Sequence, residues 1–227
     1  MITGAAGGIG RELCERFNSL GARVYPTDLA SMDKVSFTQG DIAAPSFRNR
    51  WVQDVLDKEG RIDVLVNNAG ICPRTLLPDV TLVEWNNVMD VNLTSAFALS
   101  QIVINTMIQQ RLGTIVNLAS LAGKVGGIAV GAHYSASKAG IICLTKALAR
   151  YGAPYGVRVN VVAPGIIDTD ITGAATLEQI EGFKSTIPLG RVGSVDEVVA
   201  PIVFLASKEA SYITGAVIDI NGGLLMD

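Results

Sequence analysis

With 227 residues, 49% of them apolar and only 17% charged, the chain is long enough for one full-sized core and buries much of itself. A net charge of −3 gives no electrostatic case for nucleic acid or an anionic membrane as partner. Cys14, Cys72 and Cys143 are too scattered for a disulfide framework, and a single histidine, His133, argues against a His-rich metal cluster, so no metal site is expected. No uninterrupted apolar run approaches the roughly 18 residues of a membrane span, and a cytoplasmic location is the expectation.

The chain opens Met1-Ile2-Thr3-Gly4-Ala5-Ala6-Gly7-Gly8-Ile9-Gly10, then shows Leu13, Phe17 and Leu20 at helical spacing. Gly4, Gly8 and Gly10 let backbone approach a pyrophosphate, and the helix behind them presents its N-terminus to it. The spacing is G-x-x-x-G-x-G, not G-x-G-x-x-G, and a flexible glycine-rich terminus is the competing reading. Residues 22–28 read as a second strand ending at Asp28, where a carboxylate can accept both ribose hydroxyls of an adenosine. The same charge repels a 2′-phosphate by about 4 kcal/mol at about 4 Å and an effective dielectric near 20. The expected cofactor is therefore NAD rather than NADP.

Residues 35–39 form a short third strand, followed by Asp41 and Ile42. Residues 45–59 form a helix carrying Phe47, Trp51 and Val55. Residues 62–67 are a buried strand running into Asn67-Asn68-Ala69-Gly70. Thr81-Leu82-Val83-Glu84 fits a capping box and opens a helical stretch to about residue 110 that contains Asn92. A strand over 114–119 ends at Ser120, and a helix covers 135–150. A strand over 158–163 precedes Pro164-Gly165, and a polar loop with a short helix runs to Pro188. A second capping box, Ser194-Val195-Asp196-Glu197, starts a helix to about residue 207, and 216–220 is the last strand. This alternation predicts an α/β fold, a Rossmann-type doubly wound parallel sheet of about seven strands with a shortened first strand. No linker divides it, so residues 1–227 are expected to form one domain.

Tyr134 and Lys138 stand one helical turn apart, with Cβ atoms roughly 5–6 Å from each other. A free phenol has a pKa of about 10, and lowering it by about three units takes roughly 4 kcal/mol. A lysine ammonium about 5 Å away supplies about 3 kcal/mol of that at an effective dielectric near 20. Y-x-x-x-K alone is a weak signal; its company in the sequence gives it weight.

Taken together, Thr3 to Gly10, Asp28, Asp41-Ile42, Asn67 to Gly70, Asn92, Ser120, Tyr134-x-x-x-Lys138 and Pro164-Gly165-Ile166-Ile167-Asp168-Thr169 resemble the short-chain dehydrogenase/reductase family over essentially the whole chain. The resemblance implies hydride transfer to or from a nicotinamide, interconverting a secondary alcohol and a ketone. Tyr134 would be the general acid/base. Lys138 would lower its pKa and hold the nicotinamide ribose, Ser120 would bind the reacting oxygen, and Asn92 would hold a water relaying protons from Lys138. The cofactor contacts it implies are Gly4, Gly8, Ile9, Gly10, Asp28, Asp41, Ile42, Asn68, Ala69, Gly70, Tyr134, Lys138, Pro164, Gly165, Ile167 and Thr169.

Three features depart from the pattern. Only three residues precede Gly4, fewer than a strand's usual five or six, which suggests a native N-terminus longer than this chain. Ser120 and Tyr134 are about one residue further apart than is common in the family, a difference the glycine-rich residues 124–131 can absorb. His133 precedes Tyr134, and a structural or solvent-facing role is expected for it. The substrate pocket is expected from residues 72–76, 121–131 and a lid over 166–187. Their small apolar character favours a neutral secondary alcohol or ketone; Arg74 is read as an exposed loop residue. A 3-oxoacyl-carrier-type ketoreductase is the alternative substrate reading, and a non-catalytic NAD-binding sensor of the same fold the alternative class. A methyltransferase leaves the Tyr–Lys pair unexplained, and no G-x-S-x-G supports a serine hydrolase. The resemblance further implies a homotetramer, with residues 85–110 and 134–150 as the interface.

Overall fold

The computed structural model describes residues 1–34, 36–127, 130–169 and 177–227. Val35 of the expected third strand, and residues 128–129 and 170–176 of the expected substrate wall and lid, lie outside the described residues. The strands are β1 (Ile2–Thr3), β2 (Pro26–Asp28), β3 (Thr38–Gln39), β4 (Val64–Asn67), β5 (Gly113–Leu118), β6 (Val157–Pro164) and β7 (Val217–Ile220). They form one parallel sheet in the order β3-β2-β1-β4-β5-β6-β7. The order reverses between β1 and β4, which opens a crevice above the carboxyl ends of these strands.

Parallel strands buried on both faces explain the near-continuous Val/Ile runs. The pleat sends alternate residues to opposite sides. Ile115 meets α2 (Pro45–Glu59) and α4 (Ser95–Gln110) through Phe47, Trp51, Leu99, Val103 and Met107. Val116 and Leu118 meet α1 (Gly8–Ser19) and α8 (Val195–Ala206) through Leu13, Val198, Ile202 and Leu205. Trp51 and Leu13 are fully covered.

β1 is short but holds its place, because Ile2 pairs with Pro26 on one side and Val66 on the other. The Met1 terminal amine extends the ladder by donating to Val64 O at 2.8 Å. β2 and β3 are shorter than their sequence patterns, since regular pairing is confined to residues 26–28 and 38–39. The stretch expected as one helix to residue 110 is interrupted. α3 (Leu82–Met89) passes into a wide π turn (Asp90–Thr94) before α4 begins. By length and composition the run Leu82–Gln110 would suit a membrane, with a mean hydropathy of 1.4. In the fold its apolar face, Leu99, Val103, Ile104 and Met107, is buried against the sheet.

The Ser194 capping box forms, with both hydrogen bonds present. The Thr81 box forms only in half: Thr81 Oγ1 accepts from the Glu84 N–H at 3.1 Å, but the Glu84 carboxylate turns away and takes the Thr75 hydroxyl at 2.6 Å. The remaining helices are α5 (Ala122–Val125), α6 (Ala132–Gly152) and α7 (Leu177–Thr186).

Candidate active site

Beyond β1 the chain turns sharply through Gly4, at φ 65°, into α1. A Cβ on Gly10 would collide with the Gly4 carbonyl oxygen, so glycine alone allows α1 to start this close under the loop. No side chain among the described residues caps α1, leaving the N–H groups of Gly8, Ile9 and Gly10 open. These three residues line a cavity of about 280 Å³ that also touches Asp28, Asp41, Ile42, Asn68, Ala69 and Gly70. Cβ atoms on Gly7 and Gly8 would meet nothing closer than 3.8 Å, so the backbone there is open to a bulky group. The sequence-derived cofactor residues on the amino-terminal half of the sheet are thus assembled in one place.

Asp28 is fixed at the tip of β2. Its Oδ2 accepts the Ala6 N–H at 2.9 Å and its Oδ1 the Ala30 N–H at 3.0 Å. Each oxygen retains capacity for a further donor. Asp41 also serves as a turn residue, accepting from the Ala43 N–H at 2.8 Å. The Asn68 side chain stitches two loops together, donating to Thr3 O at 3.0 Å and Gly4 O at 2.8 Å. Thr3 was missed as a functional position by sequence reasoning. Its hydroxyl accepts from both Asn68 and Ala69 N–H groups at 3.0 Å, and the available signal was a threonine directly before the first glycine of the loop.

A second cavity, of about 150 Å³, holds Ser120, Tyr134, Lys138, Cys72, Pro164 and Gly165. It shares Ile9, Asn68, Gly70 and Thr169 with the first, so one trough runs from Asp28 to Tyr134. Gly165 is held by its N–H to Ile220 O at 2.9 Å, and Ile167 is bridged to Gly193. The Thr169 methyl lies 3.9 Å from where a Cβ on Gly8 would be, closing the trough over the glycine loop. A separate cavity of about 300 Å³, lined by Met1, Tyr25, Glu59 and Asp63 at the other end of the strands, holds none of the candidate residues.

Tyr134 and Lys138 lie in the first two turns of α6, with the Lys138 Nζ 5.8 Å from the Tyr134 ring centre. The protein's own groups raise the phenol pKa rather than lower it. Burial pushes Tyr134 up to about 12, opposed by its hydrogen bond with Ser120. Burial likewise pulls Lys138 down to about 8, while its Nζ donates to Leu118 O at 2.8 Å. Desolvation of both groups outweighs their mutual attraction, which the solvated arithmetic above did not include. Ser120 sits just past β5, its Oγ accepting from the Ala122 N–H at 3.1 Å. Gly126 and Gly127, between Ser120 and Tyr134, take φ 89° and 68°, and Ser120 is hydrogen-bonded to Tyr134.

The π turn carries Asn92 inward, 2% exposed. Its Oδ1 accepts from Ile71 N–H at 2.8 Å, and its Nδ2 donates to Ile71 O at 2.9 Å and to Ser137 Oγ at 3.1 Å. Asn92 therefore clamps the loop after β4 to α6. A Cβ on Gly70 would lie 3.3 Å from both Asn92 Oδ1 and Lys138 Nζ, which places all three around one point. His133 is fully buried and so is not solvent-facing. Arg74 lines a wider cavity of about 600 Å³ with Glu84 and Asn87, next to the Tyr134 cavity through Gly70 and Cys72.

The model of the Enoyl-(Acyl carrier protein) reductase family matches residues 4–225. The 3-oxoacyl-(acyl-carrier-protein) reductase FabG of Salmonella typhimurium is 39% identical over 236 residues, covering 100% of this chain and 96% of that protein. The acetoacetyl-CoA reductase of an Acinetobacter species is 37% identical over 241 residues, covering 100% and 97%. Among solved structures, a short-chain dehydrogenase/reductase described as glucose/ribitol dehydrogenase from Brucella melitensis superposes with a TM-score of 0.91 at 33% identity. That superposition covers 100% of this chain and 96% of the other.

Proposed function

The chain belongs to the short-chain dehydrogenase/reductase family of oxidoreductases, and from that membership we propose that it is a ketoreductase that takes NAD(H) in preference to NADP(H) and acts on 3-oxoacyl groups carried as thioesters. The observation that carries this reading is the single trough joining Asp28 to the Ser120–Tyr134–Lys138 cluster. The open N–H groups of α1 and the glycine surface fit a pyrophosphate, and the Asp28 carboxylate fits two ribose hydroxyls while repelling a 2′-phosphate. Asp41 and Ile42 would border the adenine, Asn68 to Gly70 its ribose, and Pro164, Gly165, Ile167 and Thr169 the nicotinamide amide. The bound nicotinamide supplies or accepts the hydride.

Tyr134 gives its hydroxyl proton to the ketone oxygen as that oxygen gains charge, and takes it back in the reverse direction. A phenol raised to about 12 is protonated at neutral pH, the form that reduction needs. Ser120 donates a hydrogen bond to the same oxygen. Lys138, at about 8, remains mostly protonated at pH 7 and orients the nicotinamide ribose. Asn92 holds Ile71 and, through it, the loop beside the reacting centre. Residues 1–227 act as one domain, and copies pair through α4 and α6, where Phe97 and Tyr151 present apolar surface, to form a cytoplasmic tetramer. Light scattering on the purified protein tests that assembly.

The test of cofactor choice is titration with NADH and NADPH by nicotinamide fluorescence. We expect NADH to bind at least about a hundredfold more tightly, the ratio that about 3–4 kcal/mol of repulsion gives. Equal affinity, or a preference for NADPH, overturns the Asp28 argument. Turnover with an acetoacetyl thioester but not with unactivated ketones supports the substrate class, and the reverse pattern refutes it.

A further inference from the structure

We infer that His133 and Glu84 form a latch that positions Tyr134 against the wall made by residues 71–76. This role rests on the reading of Tyr134 as proton donor. His133 occupies the first turn of α6, immediately before Tyr134, and its side chain is 0% exposed. Neither imidazole nitrogen has a hydrogen-bond partner among the described residues. Buried donors and acceptors are ordinarily satisfied, and an apolar ring of similar size would avoid the cost of leaving them unmatched. The imidazole has one charged neighbour in reach: its Nε2 stands 3.4 Å from Glu84 Oε1.

Glu84 is where it is because it abandons its capping box. The same Oε1 that faces His133 accepts the Thr75 hydroxyl at 2.6 Å. One carboxylate oxygen therefore connects α3, the 71–76 segment and the start of α6. A second tie runs alongside, from the Gly131 N–H to Pro73 O at 3.2 Å. The imidazole lies directly over Gly131, where a Cβ would collide with its Cε1. Cys72 directly precedes the tied Pro73 and shares the reaction cavity with Tyr134. Movement of the latch thus changes the distance between the phenol and whatever lies against Cys72.

His133 and Glu84 are positioning residues: neither lines the trough.

The experiment compares wild type, His133→Phe and Glu84→Gln in three measurements. These are kcat and KM for acetoacetyl-thioester reduction, NADH affinity by fluorescence, and amide hydrogen exchange at residues 71–76. We expect His133→Phe to lower kcat about tenfold or more, as small displacements at a reacting centre do. NADH affinity and substrate KM stay within about twofold, and the 71–76 amides exchange about tenfold faster. Glu84→Gln, at a half-exposed site that tolerates the change, shifts kcat in the same direction. A His133→Phe protein with wild-type kcat and unchanged exchange overturns the latch. Should wild type show no turnover at all, the functional reading falls, and exchange at 71–76 still decides for or against the latch.

Discussion

Lys138 shows how a side chain that suits catalysis burdens the fold. Its pKa falls to about 8 through burial, against about 10.5 in the unfolded chain. Between these values the unfolded state binds more protons, so stability rises with pH through about 8 to 10.5. Below pH 8 the buried ammonium costs about 3 kcal/mol. We therefore expect Lys138→Met to abolish reduction while its melting temperature at pH 7 stays at or above that of wild type. The lost hydrogen bond to Leu118 O offsets part of the gain. Subtracting the variant's stability-versus-pH curve from that of wild type isolates Lys138, and an identical slope in both between pH 8 and 10 refutes the assignment. Tyr134 runs the other way. Its raised pKa means the folded protein holds a proton the unfolded chain releases above pH 10, so stability from this group is lost between about 10 and 12.

At the scale of elements, the site depends on α5, a four-residue helix wedged between Ser120 and α6. Gly123 is its contact point: an added Cβ would lie 2.6 Å from the Lys138 carbonyl carbon and 2.7 Å from the Ala139 nitrogen. Both are backbone atoms and cannot swing aside. Lys124 fixes the other side, with ion pairs to Asp219 at 2.6 Å and Asp227 at 2.7 Å. Gly123→Ala is expected to push α5 off α6, separate Ser120 from Tyr134 and lower kcat by about a hundredfold. NADH affinity should fall less than kcat, because the contact touches the cofactor site only through Lys138 while the glycine loop and Asp28 are remote from it. A kcat within threefold of wild type would show that α5 has slack the structure does not suggest.

For the whole molecule, the trough crosses the sheet at its switch point and draws on loops after β1, β2, β4, β5 and β6. A ligand filling it ties these loops to one another. NADH at about a hundred times its dissociation constant should add about 2.7 kcal/mol of stability. In a chain of this size that raises the melting temperature by about 5–11 °C. NADPH at the same concentration should move it far less. Equal shifts would place the discrimination elsewhere than Asp28.

Much of this was legible in the chain itself. The alternation of strands and helices follows from periodicity, because helices and strands repeat at fixed intervals, while the glycine loop, Asp28 and the Tyr134–Lys138 pair took their weight from the family resemblance. What the sequence could not disclose depends on which groups are removed from water together. The solvated arithmetic for Tyr134 left out desolvation, which raises the buried phenol and lowers the buried ammonium. Asn92 lies on a π turn that no local pattern marks, where its carboxamide clamps Ile71. Thr81-x-x-Glu84 has the letters of a capping box, yet Glu84 is drawn off by Thr75 and faces His133, residues remote from it in sequence. Local spacing determined the elements, and the resemblance carried by the motifs pointed to the reacting groups. Tertiary packing decided their protonation and their partners, because burial and long-range contact belong to the folded chain alone.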